Sequence, residues 1–227
     1  MVFDIKKRET LRKRLEGYLN EYRDFYSEYA LDEIEENFLN PYRPIRDSSD
    51  VLNQIYAYLG IFDVEKDNAY DIFIKLIKSR MNIHCNLLEV GCGYYPSLAL
   101  RMLRHQKRGS ITAIDPLLVK EDFEGIKVIK TRLSKNFDIT PYDMLYGLYP
   151  CDATLDMIEL ASDYDKDLCI LACDCYETLD GELDDMNEWI KYIKEYIMSC
   201  NPKGRVYKIE KIKSLKVPLI TMRKSTK

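Results

Sequence analysis

The segment Asn86–Leu100, which reads NLLEVGCGYYPSLAL, constrains the fold more than any other part of the chain. Its apolar run, Leu87–Val90, is too short for a helix and suits a strand buried on both faces. A Gly-Cys-Gly turn follows at 91–93, and then an amphipathic helix for which Ser97 is the predicted N-cap. A strand, a glycine turn and a helix in this order let the backbone approach a ligand closely.

The pattern from Glu89 to Ala99 is acid-x-Gly-x-Gly-x-x-Pro-x-x-Ala. Pro96 occupies the place of the third glycine of a dinucleotide-binding turn, which disfavours a nicotinamide oxidoreductase. The pattern resembles the first motif of class I S-adenosylmethionine (SAM)-dependent methyltransferases, in which Gly-Cys-Gly is a frequent variant. The resemblance implies that SAM or S-adenosylhomocysteine binds here, with Glu89 near the ammonium group. The turn residues that it implies for cofactor binding are Gly91, Cys92, Gly93 and Tyr94.

A second acid follows the next predicted strand, Ser110–Ile114. Asp115 lies about 20 residues beyond the glycine turn, where a carboxylate can accept two hydrogen bonds from a ribose diol. A helix-capping aspartate is the alternative interpretation. In the family this residue binds the SAM ribose, and the resemblance implies adenine contacts from Pro116, Leu117 and, at the end of the third strand, Leu133.

The remainder of the chain alternates strand and helix patterns and predicts an α/β fold. The resemblance implies a seven-stranded Rossmann-like methyltransferase sheet with helices on both faces, its last strand antiparallel. We expect Pro218 to cause a bulge or fraying in that last strand, because it has no N–H to donate. Further strands are predicted at 126–130, 144–149, 168–172, 205–212 and 216–222, with helices at 154–162 and around the stripe from Leu183 to Ile197.

The first part of the chain reads as entirely helical. A tyrosine-rich stripe predicts a helix over 4–39, and shorter helices follow at 50–59 and 64–80. We therefore divide the chain into a helical N-terminal region, 1–82, which covers the domain or forms a homodimer, and a SAM-binding domain, 83–227. The family resemblance covers only the second part.

The fourth strand ends in GLYPCDAT, Gly147–Thr154. This resembles a methyltransferase branch with the motif Gly-x-His-x-Cys-Gly/Asp, which includes tRNA 2′-O-methyltransferases. Tyr149 replaces the histidine, the side chain best suited to proton transfer near neutral pH, so it can at most donate a hydrogen bond or stack. Asp152 is the other predicted catalytic residue, able to orient the nucleophile or accept its proton. An N-cap role for Asp152 is equally compatible with the sequence.

Composition narrows the function further. Seven cysteines without ligand spacing and only two histidines predict free thiols and no metal site. No apolar run approaches the ~18 residues of a membrane span and no leader is evident, which favours a cytoplasmic protein. Basic clusters at 6–14 and 203–227 favour RNA slightly over a small molecule as methyl acceptor, although such clusters can simply be solvated. A SAM-binding or interaction module without activity is the alternative function.

Overall fold

A computed structural model of the chain describes residues 69–93, 96–118, 123–173, 176–179, 181–183, 185–200, 202 and 204–224. The helices predicted before residue 69, the possible dimer contact and Tyr94 lie outside these residues. The division of the chain at residues 82 and 83 therefore stays a prediction.

Strands and helices alternate through most of the described chain. The helices are α1 (Ala69–Arg80), α2 (Ser97–Leu103), α3 (Ala153–Asp163) and α4 (Met186–Ser199). The strands are β1 (Leu87–Val90), β2 (Ile111–Ile114), β3 (Lys127–Ile129), β4 (Met144–Leu148), β5 (Asp167–Leu171), β6 (Glu177–Thr178), β7 (Gly181–Glu182), β8 (Arg205–Ile212) and β9 (Val217–Lys224). The short hairpin β6–β7 was not predicted.

Seven strands form one sheet in the order β3-β2-β1-β4-β5-β9-β8. The first five are parallel, and β9 runs antiparallel to both β5 and β8. The α/β prediction of a seven-stranded sheet with an antiparallel last strand is thus confirmed. The strand order reverses between β1 and β4, which places a ligand crevice at the carboxyl ends of these strands.

Helices cover both faces of the sheet, as predicted. On one face α1 and α2 bury Phe73, Ile77 and Leu98 against strand residues that include Leu87 and Tyr146. Alternate strand residues, among them Leu88, Leu145 and Ile170, point to the other face of the sheet. There they pack against α3 and α4, which contribute Ile158 and Trp189. Burial on both faces explains the continuous apolar runs of the central strands.

Pro218 lies in a regular part of β9, so the prediction of a bulge or fraying was wrong. The β8–β9 register runs without interruption from Arg205 opposite Lys224 to Ile212 opposite Val217. The Pro218 carbonyl accepts a hydrogen bond from the Ala172 N–H at 3.0 Å. In an antiparallel strand the N–H and C=O of one residue point to the same side, so the Pro218 nitrogen faces the end of β5. Its lack of a hydrogen therefore removes no hydrogen bond between β8 and β9.

Two further expectations differ from the structure. The N-cap position of α2 is Pro96, and Ser97 is the first helical residue, with a buried hydroxyl that has no hydrogen-bond partner. Cys173 is disulfide-bonded, whereas Cys85, Cys92, Cys151, Cys169 and Cys200 are free thiols as expected. Within the described ranges, every helix is too short or too polar to cross a bilayer.

Candidate functional site

A cavity of about 470 Å³ opens at the carboxyl ends of β1, β2 and β4, where the topology places the crevice. Ten of the eleven residues predicted for the site line it. They are Glu89, Gly91, Cys92, Gly93, Asp115, Pro116, Leu117, Leu133, Tyr149 and Asp152, and the eleventh, Tyr94, is outside the described residues. The structure thus brings the predicted residues together around one space.

The glycine turn requires its glycines for two different reasons. Gly91 and Gly93 have φ of 74° and 67°, a left-handed conformation that side chains disfavour. A Cβ on Gly91 would also lie 2.9 Å from the Cα of Pro150, in the loop after β4. The two strand ends are therefore in direct backbone contact, and the Gly91 N–H is held by the Ile114 carbonyl at 3.1 Å.

The carboxylate of Asp115 is directed at this turn. Its Oδ2 accepts the Gly93 N–H at 2.7 Å and its Oδ1 accepts the Leu117 N–H at 2.8 Å. Burial raises the pKa of Asp115, the two backbone hydrogen bonds oppose that shift, and the charge of Asp152 adds to it. Residues 116 and 117 form a turn, so Asp115 does not cap a helix there. Each carboxylate oxygen keeps a second lone pair for a ligand hydroxyl.

Glu89 is a buried acid on the wall of the cavity. Its side chain accepts a hydrogen bond from the Ala99 N–H, but its Oε2 has no partner, and only 3% of the residue is exposed. Burial raises its pKa to about 8, the Ala99 bond opposes the shift, and the charge of Asp115 adds to it. An unpartnered buried carboxylate oxygen is costly, so a cation or donor placed in the cavity would be stabilised here.

Tyr146 extends this polar region into the core. It lies beside Glu89 in the β1–β4 register, and its buried hydroxyl, like that of Ser97, has no hydrogen-bond partner. Burial and then the charge of Glu89 raise the pKa of Tyr146. The thiol pKa of Cys92 is raised by burial and then by the charges of Glu89 and Asp115, which keeps this thiol protonated and uncharged at neutral pH.

The end of β4 is a strained turn. Tyr149 and Cys151 have φ of 54° and 43°. This backbone conformation is unusual for residues with a Cβ, and each instance costs about 1–3 kcal/mol of stability. The Tyr149 N–H donates to the Leu171 carbonyl at 2.8 Å, which fixes the turn against β5. Gly147 is needed just before it, because a Cβ there would lie 2.8 Å from the Val90 carbonyl oxygen.

Asp152 pairs with Arg132 across the cavity mouth. The Arg132 Nη2 and Asp152 Oδ2 are 2.5 Å apart, with side-chain exposures of 67% and 58%. In the sheet, β3 and β4 are separated by β2 and β1, so the pair spans the intervening strand ends. Asp152 occupies the predicted N-cap position of α3, but its side chain makes no capping hydrogen bond and pairs with Arg132 instead.

Sequence reasoning missed Arg132 and Tyr70 as cavity residues. The third strand end was located correctly, but nothing in its sequence signals an ion pair with Asp152. Tyr70 reaches the cavity from the first turn of α1. Its ring lies 5.4 Å from the guanidinium carbon of Arg101, whose Nη1 binds the Asp71 Oδ1 at 2.6 Å. No sequence pattern distinguishes Tyr70 from other helical aromatic residues.

Comparisons with known proteins give structural neighbours only. No protein-family model and no curated protein matches the chain. A precorrin-6y C5,15-methyltransferase from Geobacter metallireducens GS-15 is 13% identical over 71% of this chain and 90% of its own, with a TM-score of 0.46. The SAM-bound magnesium protoporphyrin IX methyltransferase of Synechocystis PCC 6803 is 12% identical over 89% of this chain and 95% of its own, with a TM-score of 0.48. A methyltransferase from Pyrococcus furiosus is 18% identical over 77% of this chain and 96% of its own, with a TM-score of 0.45.

Because these TM-scores are below 0.5, the fold is assigned from the strand order alone. The described domain has the seven-stranded Rossmann-like sheet that the sequence predicted, with an antiparallel β9. Its crevice at the β1–β4 reversal has a glycine turn, two buried acids and apolar walls.

Proposed function

We propose that this chain is a SAM-dependent methyltransferase whose cofactor binds between Glu89 and Asp115. The observation that carries the proposal is the buried, unpartnered Oε2 of Glu89 on the wall of a cavity that Asp115 also lines. SAM has a cationic ammonium group for the first acid and a ribose diol for the second. Leu117, Pro116 and Leu133 offer apolar surface for adenine, and 48% of Leu117 is exposed at this wall.

The proposed methyl transfer needs no covalent intermediate with the protein. Bound SAM would supply an activated methyl group, and the chain's own residues would align the acceptor with it. Asp152, once separated from Arg132, would accept the proton of the acceptor. Tyr149, which lines the cavity, would stack on the acceptor or donate a hydrogen bond to it.

We infer RNA as the acceptor ahead of a small molecule, and a cytoplasmic location. The clusters of Lys and Arg in the sequence support the first inference. A homodimer formed through the helix predicted at 4–39 is a further proposal, which rests on its tyrosine stripe alone.

Calorimetry with S-adenosylhomocysteine tests the cofactor proposal. We expect binding to the wild type and a loss of at least roughly 100-fold in Asp115→Ala, because two charge-assisted hydrogen bonds disappear. Asp138→Ala is the matched control. Like Asp115, Asp138 accepts a hydrogen bond from the backbone N–H two residues further along the chain, here that of Thr140 at 2.9 Å, but Asp138 does not line the cavity. Folded wild-type protein that binds neither SAM nor its product would refute the proposal.

The second candidate is a module that binds SAM without transferring its methyl group. The ion pair of Asp152 with Arg132 favours it, because that carboxylate is engaged. Transfer of labelled methyl from SAM into any component of a cell extract would exclude this candidate.

A further inference from the structure

The α1–α2 side of the sheet is strongly basic. Residues 69–80 and 97–108 contain seven Lys and Arg and one acid, Asp71, whereas α3 on the opposite side has three acids and no Lys or Arg. Five of these cations are exposed, and within the described part of the chain none forms an ion pair with a carboxylate. We call them the basic face: Lys75, Lys78, Arg104, Lys107 and Arg108.

Lys78 of α1 and Arg104, which follows α2, both lie near His105 on this face. The Nζ of Lys78 lies 3.3 Å from the Nδ1 of His105, the residue after Arg104. Burial lowers the pKa of His105, Lys78 lowers it further, Asp71 opposes the shift, and Arg104 adds to it. The one acid nearby, Asp71, is bound to Arg101. An external anion would therefore relieve repulsion here that the described residues do not neutralise.

The basic face begins on α1, the helix that borders the cavity, and reaches the opposite edge of the sheet, where Lys107 and Arg108 precede β2. Tyr70, in the first turn of α1, lines the cavity, and Lys75 and Lys78 follow about 7.5 and about 12 Å further along the helix axis. A small acceptor needs no surface of this length, whereas a phosphate backbone presents a charge at every nucleotide. The rings of Tyr70 and Tyr149 at the cavity are the kind of surface on which an unstacked base is held.

We propose that the basic face binds the phosphate backbone of the acceptor RNA while the target nucleotide enters the cavity beside Tyr70. This inference rests on the proposed function and specifies how its substrate is bound.

The test compares two pairs of lysines with equal spacing. Lys75→Gln/Lys78→Gln removes two exposed charges from the basic face, and Lys191→Gln/Lys194→Gln removes two from the exposed side of α4, on the other face of the sheet. Binding of a fluorescein-labelled oligouridylate of about 20 nucleotides is measured by anisotropy over a range of salt concentrations. We expect the first variant to bind roughly 25-fold more weakly at about 0.1 M salt and its log–log salt slope to fall by about 1.4, with the control unchanged.

Two further readouts separate the possible failures. Calorimetry with S-adenosylhomocysteine should give the same affinity in both variants, which shows that the cavity is intact. A failure of the wild type to bind the cofactor would count against the proposed function. Equal oligouridylate affinity in the wild type and both double variants would overturn only the proposal that the basic face binds RNA. By NMR, bound RNA should raise the pKa of His105, because a phosphate offsets its cationic neighbours.

The basic face contacts phosphates, so an oligothymidylate should show a similar salt dependence. Methyl transfer from labelled SAM to the nucleic acids of a cell extract distinguishes RNA from DNA as the acceptor. Label in RNA is expected, and label in DNA instead would overturn the assignment of RNA.

Discussion

Glu89 should make the protein less stable as the pH rises toward 8. Its pKa is about 8 when folded, against an ordinary value of 4.5, so between these values the folded state binds a proton that the unfolded state has released. Stability therefore falls with rising pH through this window, by about 1.4 kcal/mol per unit where the difference is complete. From about pH 5.5 to about pH 7.5 the integrated loss of stability is about 2–3 kcal/mol.

The assay is urea denaturation of the wild type and Glu89→Gln across that range. Glutamine keeps the shape and an acceptor for the Ala99 N–H but does not titrate, so from low to high pH the wild type should lose about 2–3 kcal/mol of stability relative to this variant. Glu210→Gln is the control. Arg80 and then Lys208 lower the pKa of Glu210, so its contribution is lost only in acid and this variant should parallel the wild type.

Saturating S-adenosylhomocysteine should reduce the pH dependence of the wild type, because an ammonium group beside Glu89 favours its charged form. Parallel curves for the wild type and Glu89→Gln without ligand would refute the burial argument for Glu89.

Two further predictions concern the scaffold of the site. Gly147→Ala should destabilise the protein by about 1–3 kcal/mol in thermal or urea unfolding, since its Cβ would meet the Val90 carbonyl oxygen at 2.8 Å; an unchanged stability would show that the β1 and β4 ends can separate. Asp185→Ala should cost about 1 kcal/mol by urea denaturation, because the Asp185 carboxylate caps α4 by accepting the N–H groups of Asn187 and Glu188 at 2.7 and 3.1 Å; a variant as stable as the wild type would contradict this capping role.

Local patterns were enough to predict the seven strands of the main sheet, although not the short β6–β7 hairpin. Leu87–Val90 and the run that ends at Leu171 are short, apolar and followed by turns, so their length and burial are encoded within a few residues. The glycine turn and Asp115 could be located for the same reason. Their spacing places both at the same sheet edge once the first two strands pair in parallel.

What the sequence could not show depends on neighbours distant in the chain. The effect of Pro218 depends on which strand its nitrogen faces, which follows only from the end of β5. The partner of Asp152 lies beyond two intervening strands, so neither residue of the ion pair carries a local signal for it. The lack of a partner for the Glu89 Oε2 likewise depends on the packing of α1 and α2 over β1.

The position of the Arg132–Asp152 contact has a kinetic consequence. An exposed ion pair contributes about 0–1 kcal/mol, so thermal motion would separate the two side chains for a sizeable fraction of the time. A small solute would then enter the crevice at nearly its encounter rate, without waiting for a rare opening event. Added salt, which screens such pairs, should change that entry rate very little.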